Sequence, residues 1–256
     1  MIDFRKIENI GKITFNRPEK FHSFVREMAL KLQEILNKCE EDKEIRVILI
    51  TSKGKAFCAG QDLSEAIDPN GPDISTIINE HYNPIIRKIR SINKPVIAAV
   101  NGVAAGAGAS IALCCDIILA NENASFIQAF SKIGLVPDSG ATYFLPRIIG
   151  LQKSISLMMT AEKISANEAK EIGMIYKVYS NEEFESEVWN FTEKISEKPT
   201  KALAYIKILL NSSLENSFEE QLILEEKYQS MAEKTEDYKE GVNSFLNKRK
   251  ANFKGR

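Results

Sequence analysis

An α/β fold is the expectation for this chain. Three observations point to it. Residues 46–51, 95–100 and 116–120 are apolar, largely β-branched runs; helical patterns lie between them; and after about Gly150 the pattern turns helical almost throughout. Continuous apolar strands are buried on both faces, and helices between them make crossover connections, so a largely parallel sheet follows.

The elements follow in order. Residues 12–15 form a strand that stops at Asn16-Arg17-Pro18, where proline cannot continue a ladder. Ser23 is placed to cap a helix whose apolar face is Val25, Met28, Ala29, Leu32, Ile35, Leu36 and Cys39. Residues 95–120 are almost uncharged and long enough to span a bilayer, yet Asn101-Gly102, the glycines after it and Asp116 suit a strand, a sharp turn and a short buried helix. Beyond Gly150, helices are expected over 151–161, 165–172, 182–195, 200–212, 219–234 and about 237–248, with one strand at 175–179. The expected organisation is an α/β core over 1–195 and a helical region over 196–256.

With 44% hydrophobic and 27% charged residues, the composition is that of an ordinary globular protein. Its 34 basic and 35 acidic residues nearly cancel, so neither nucleic acid nor an anionic membrane is an expected partner. The first six residues lack the apolar run of a signal peptide, and a cytoplasmic location is expected. Cys39, Cys58, Cys114 and Cys115 form no C-x-x-C pair, and only His22 and His81 could join them, so no metal site is expected. They read as reduced core residues, with Cys114 and Cys115 pointing opposite ways. Both histidines read as packing or surface residues outside the chemistry.

Two glycine-rich turns stand out, Gly54-Lys55-Ala56-Phe57-Cys58-Ala59-Gly60-Gln61-Asp62-Leu63 and Asn101-Gly102-Val103-Ala104-Ala105-Gly106-Ala107-Gly108. Each is expected directly after a buried strand and ahead of an apolar helix, where parallel sheets place ligands. Neither contains a phosphate-binding G-K-[ST], and each alone could be a tight turn.

Together, A-F-C-A-G-Q-D-L at 56–63, N-G-V-A-A-G-A-G at 101–108 and C-D-I at 115–117 resemble the crotonase (enoyl-CoA hydratase/isomerase) superfamily. The resemblance runs from N-R-P-E-K at 16–20 to the basic tail at 248–254. It implies a ββα superhelix with a helical C-terminal trimerisation region, and a homotrimer or dimer of trimers. It also implies an acyl-CoA substrate, with no cofactor beyond that coenzyme A, and an oxyanion hole made by the backbone N–H groups of Gln61 and Ala107. Two such donors stabilise a thioester enolate as its charge develops. Substrate contacts are implied for Lys20, Phe21, Ala59, Asp62, Leu63, Ala104, Gly106 and Phe130. Phe245 and Lys248 would reach the coenzyme of a neighbouring subunit.

Hydratases of the family use two glutamates, and the matching positions are Ser110 and Phe130. The acidic residue present instead is Asp138, in G-L-V-P-D-S-G at 134–140. By itself D-S-G is ordinary turn or N-cap chemistry. The stretch 125–140, with Tyr82-Asn83-Pro84, is similar to the 1,2-epoxyphenylacetyl-CoA isomerase subfamily, and that similarity makes Asp138 the catalytic acid/base. Phe130, Ala104 and Val136 are expected to make its surroundings apolar and raise its pKa.

The implied function is an acyl-CoA isomerase, acting on the ring epoxide (to an oxepin) or on 3-enoyl-CoA. The alternatives are an enoyl-CoA hydratase, an aspartate-nucleophile aryl-CoA dehalogenase or thioesterase, and a catalytically degenerate scaffold of a multienzyme complex. The dehalogenase's histidine base is matched here by Asn83, which speaks against that reading.

Overall fold

The computed structural model describes residues 1–256. Ten strands form: β1 (Ile2–Ile7), β2 (Ile10–Phe15), β3 (Val47–Ser52), β4 (Ala56–Cys58), β5 (Val96–Val100), β6 (Val103–Ala105), β7 (Ile117–Asn121), β8 (Ser125–Ile127), β9 (Lys163–Ser165) and β10 (Lys177–Tyr179). The helices before β7 are α1 (Arg26–Glu41), α2 (Leu63–Ala66), α3 (Ile74–Thr76), α4 (Asn83–Ser91) and α5 (Ala107–Cys114). Those after β8 are α6 (Ala141–Ile149), α7 (Leu151–Thr160), α8 (Ala166–Glu171), α9 (Phe184–Ser196), α10 (Thr200–Ser212), α11 (Phe218–Glu233) and α12 (Glu236–Leu246).

Six strands make one sheet in the order β1-β2-β3-β5-β7-β10, parallel except for the β1–β2 hairpin. A second sheet, β4-β6-β8-β9, is parallel across its first three strands. The chain passes from the first sheet to the second three times, β3 to β4, β5 to β6 and β7 to β8, and returns through helices. This strand–strand–helix repeat corrects the sequence reading in one respect. Neither glycine-rich segment is a simple turn after a buried strand, because each contains a short strand of the second sheet. Three residues per strand leave too little periodicity to recognise. Only the second segment enters an apolar helix, α5, all of whose residues are buried; α2 buries none.

β3 shows why its run is continuously apolar. Ile48 and Ile50 join the main core with Met28, Leu32 and Leu36 of α1, while Val47 and Leu49 pack with Ile97, Leu119, Phe184 and Val188 on the α9 side. The predicted face of α1 is buried, but Ser23 is not its cap. Phe24 pairs with Gln61 in an isolated parallel bridge, so the backbone stays extended through Val25 and the helix begins at Arg26. The Arg26 N–H donates instead to Glu65 Oε1 at 2.9 Å.

Residues 95–120 resolve into β5, β6, α5 and β7, and no helix is long and apolar enough to cross a membrane. Cys114 and Cys115 do not diverge. The helix ends between them, and both thiols donate to the Ile111 carbonyl, at 3.1 and 3.3 Å.

Candidate active site

The three loops that carry the candidate residues leave the carboxyl ends of β4, β6 and β8, which are neighbours in the second sheet. Gly108 lies so close to the first loop that a Cβ there would sit 2.2 Å from the Cys58 carbonyl oxygen. Gly60 has φ +92°, and a Cβ on it would lie 3.0 Å from Ala105 O and 3.3 Å from Ala107 N. Only glycine allows both the backbone angle and the approach. Gln61 and Ala107 are therefore brought side by side.

Neither of their N–H groups has an acceptor within the protein. Ala107 is the first residue of α5, where helix N–H groups lack intrahelical partners. At Gln61 the cause is the bridge to Phe24. That bridge uses Gly60 O (2.7 Å from Phe24 N) and Asp62 N (2.8 Å from Phe24 O), which turns the Gln61 N–H the other way.

The first loop is also held from residues 17–22. Phe21 and His22 both adopt positive φ, 48° and 55°. His22 is fully buried: Nδ1 accepts from the Arg17 N–H at 2.9 Å and Nε2 donates to Lys53 O at 2.6 Å. Phe21 O accepts from the Ala59 N–H, and His22 O from the Cys58 thiol. Asp62 Oδ2 pairs with Arg17 at 2.7 Å, and Oδ1 caps α2 through the Ser64 N–H. Burial works against ionisation of Asp62, but Arg17 and the Ser64 hydrogen bonds together hold the carboxyl below its ordinary range. Both carboxylate oxygens of Asp62 are thus engaged inside the protein, as are its N–H, on Phe24 O, and its carbonyl, which accepts from Glu65 and Ala66.

The Gln61 side chain is braced by two residues that the sequence reading gave no role. Its Nε2 donates to Glu65 Oε2 at 2.8 Å, and its Oε1 accepts from the Tyr82 hydroxyl at 3.0 Å. Tyr82 ends a π-helical turn, Ile77–Tyr82, whose wider winding follows from Pro84. Proline has no N–H for the Glu80 carbonyl, which accepts from Gln33 Nε2 at 2.7 Å instead. Pro84 was the available signal for this turn.

Asp138 lies in the turn between a 3-10 segment, Ala129–Ile133, and α6. It is half-buried, and its Oδ1 accepts from the Ser139 hydroxyl at 2.8 Å. It does not cap α6, whose N-cap is Gly140. Burial pushes its pKa above the ordinary carboxylate range, and the Ser139 hydrogen bond partly opposes this. Burial raises the pKa of Tyr82, which donates to Gln61, and the charge of Asp138 adds to that rise. Ala104 and Phe130 are buried, and a Cβ on Gly106 would lie 4.0 Å from the Phe130 ring. Val136 is the exception to the expected apolar surroundings: it is 79% exposed and shields nothing. At the position of the first hydratase glutamate, the buried Ser110 hydroxyl donates to Gly106 O.

Lys20, Phe21, Ala59 and Leu63 are exposed on the rim formed by the first loop and residues 18–21. Phe245 and Lys248 are exposed at the end of α12, which packs chiefly on α11. A cleft of about 1020 Å³ lies on another face, between β1, β2 and α9, and contains none of these residues.

The family described as enoyl-CoA hydratase/isomerase matches residues 5–256. The 1,2-epoxyphenylacetyl-CoA isomerase of Escherichia coli K12 is 43% identical over 97% of this chain and 96% of its own. The mitochondrial enoyl-CoA hydratase of Pongo abelii is 35% identical over 97% of this chain and 85% of its own. Among solved structures, an enoyl-CoA hydratase from Bacillus anthracis superposes with a TM-score of 0.92 at 30% identity, covering 100% of this chain and 99% of that one.

Proposed function

The chain belongs to the enoyl-CoA hydratase/isomerase family, and on that premise we propose that it is an acyl-CoA isomerase with Asp138 as its single acid/base. The observation that supports this reading is one carboxylate of raised pKa on the segment after β8, next in the sheet to β6 and β4, whose loops carry two backbone N–H groups with no acceptor of their own. In the proposed reaction the Asp138 carboxylate takes a proton from C2 of a 3-enoyl thioester. The electrons move onto the thioester oxygen, held by Gln61 N–H and Ala107 N–H, and the same proton returns at C4. This gives the 2-enoyl thioester with no water consumed. A pKa raised toward the working pH suits a group that must both accept and donate. The same set serves the ring epoxide named for the E. coli relative, and we include that substrate in the proposal.

Hydration is the weaker reading, because a serine hydroxyl bonded to Gly106 and a phenylalanine occupy the water-activating positions. Asn83, hydrogen-bonded to Asn79, supplies no base for a dehalogenase. The proposed chemistry needs no cofactor beyond the coenzyme A of the substrate, and its expected setting is the cytoplasm, without nucleic-acid or membrane partners. We also propose assembly as a homotrimer or dimer of trimers, with Phe245 and Lys248 contributed to a neighbour's coenzyme. The exposed apolar residues Leu210, Phe218, Ile223, Phe245 and Leu246 support it.

Asp138→Asn tests the mechanism. Isomerisation of 3-hexenoyl-CoA should fall by about 10²- to 10⁴-fold, while acyl-CoA affinity by calorimetry changes little. Crotonyl-CoA hydration by the unaltered enzyme should run far below isomerisation. Near-full turnover by Asp138→Asn would sink the proposal.

A further inference from the structure

Ser139 is an uncomfortable residue for its place. The Ala141 N–H donates to Asp138 O at 3.0 Å, closing a four-residue turn whose central residues, Ser139 and Gly140, have φ +53° and +77°. Turns with both central residues left-handed favour asparagine, aspartate or glycine at the first position. Serine, with a Cβ and no local compensation, is strained there. It is also buried, at 2% exposure, although turns of this kind normally lie in solvent. Strained backbone that persists in a folded protein points to a function that the surroundings hold in place.

The hydroxyl supplies the reason. Its one hydrogen bond goes to Asp138 Oδ1 at 2.8 Å, while Asp138 Oδ2 has no partner in the protein. We infer that Ser139 is a positioning residue for Asp138: the left-handed turn aims its hydroxyl at Oδ1, fixing the carboxylate plane and leaving Oδ2 to move the proton. This rests on the reading of Asp138 as the acid/base. Tyr82 of the π-helical turn, a phenol kept protonated by burial, is a titratable group that senses the Asp138 charge. No lysine, arginine or histidine pairs with Asp138, so the serine hydroxyl is the one donor that stabilises its ionised form.

Ser139→Ala removes the hydroxyl and keeps the strained Cβ; Ser139→Gly removes both. If the hydroxyl positions Asp138, both variants lose about ten-fold in kcat for 3-hexenoyl-CoA, with KM within about two-fold. In both, the acidic limb of the pH–rate profile moves up by about one unit, because the ionised carboxylate has lost its donor. Ser139→Gly should melt at or above the parent temperature while remaining catalytically impaired. Parental kcat and pH profile in Ser139→Gly would overturn the inference, as would an Ala defect that Gly repairs along with stability. Asp138→Asn run alongside separates the two failures. If it is inactive while Ser139→Gly is normal, only the positioning role falls; if it is active, the proposed acid/base falls.

Discussion

At Asp138 a carboxyl group is partly buried with no cation beside it, and this has a consequence for stability as well as chemistry. Its folded pKa lies above the ordinary aspartate value, so the folded state holds the proton more tightly than the unfolded chain. The associated stability is fully present below about pH 4, the unfolded value, and is lost as pH rises through the folded pKa. Asparagine cannot ionise, yet its carbonyl oxygen can still accept from Ser139. Asp138→Asn should therefore melt above the parent at pH 8, with the difference vanishing below about pH 4. A lower melting temperature at pH 8 would show that the ionised group is stabilising. At this scale the sequence marked Asp138 through its motif, whereas the exposure of Val136 and the commitment of Asp62 to Arg17 depend on partners distant in the chain.

The π-helical turn Ile77–Tyr82 shows how one element aims one side chain. Pro84 removes a helical donor, the winding widens, and Tyr82 is delivered fully buried against Phe24, with ring centroids 6.0 Å apart and its hydroxyl on Gln61. Tyr82→Phe keeps the ring packing and removes one of the two braces on the Gln61 carboxamide, leaving Glu65. We expect kcat to drop by about ten-fold with KM nearly unchanged, since a donor slightly misaimed binds substrate but stabilises the enolate less. Steady-state kinetics on 3-hexenoyl-CoA would decide it. An unaltered kcat would mean that the Phe24 bridge and Glu65 hold Gln61 in place without Tyr82.

Across the whole molecule, the helical C-terminal segment is pinned to the rest of the chain by a buried lysine and a half-buried arginine. Lys207 of α10 donates to Ile89 O at 2.6 Å and Asp116 Oδ2 at 2.8 Å, and Arg46 reaches Thr200, Lys198 O and Phe253 O. Burial lowers the Lys207 pKa and Asp116 opposes that, as expected of an ammonium that must be paired to be buried. α10–α12 expose large apolar residues such as Leu210, Phe218 and Ile223 within one chain, which motivates the proposed assembly. Multi-angle light scattering at micromolar concentration should give a mass of three or six chains; a monomer would refute it.

The apolar runs of β3, β5 and β7, the face of α1 and the α7–α12 series were legible because each shows either a continuous apolar run or a helical spacing in the sequence itself. The two glycine segments were legible as a pair through a known pattern. The short strands β4, β6, β8 and β9 were not, since three residues show no alternation and form only when neighbouring strands supply their hydrogen bonds. For the same reason the start of α1, the convergence of Cys114 and Cys115 on one carbonyl, and the bracing of Gln61 by Tyr82 and Glu65 were decided in three dimensions. Each depends on a partner that local sequence does not specify.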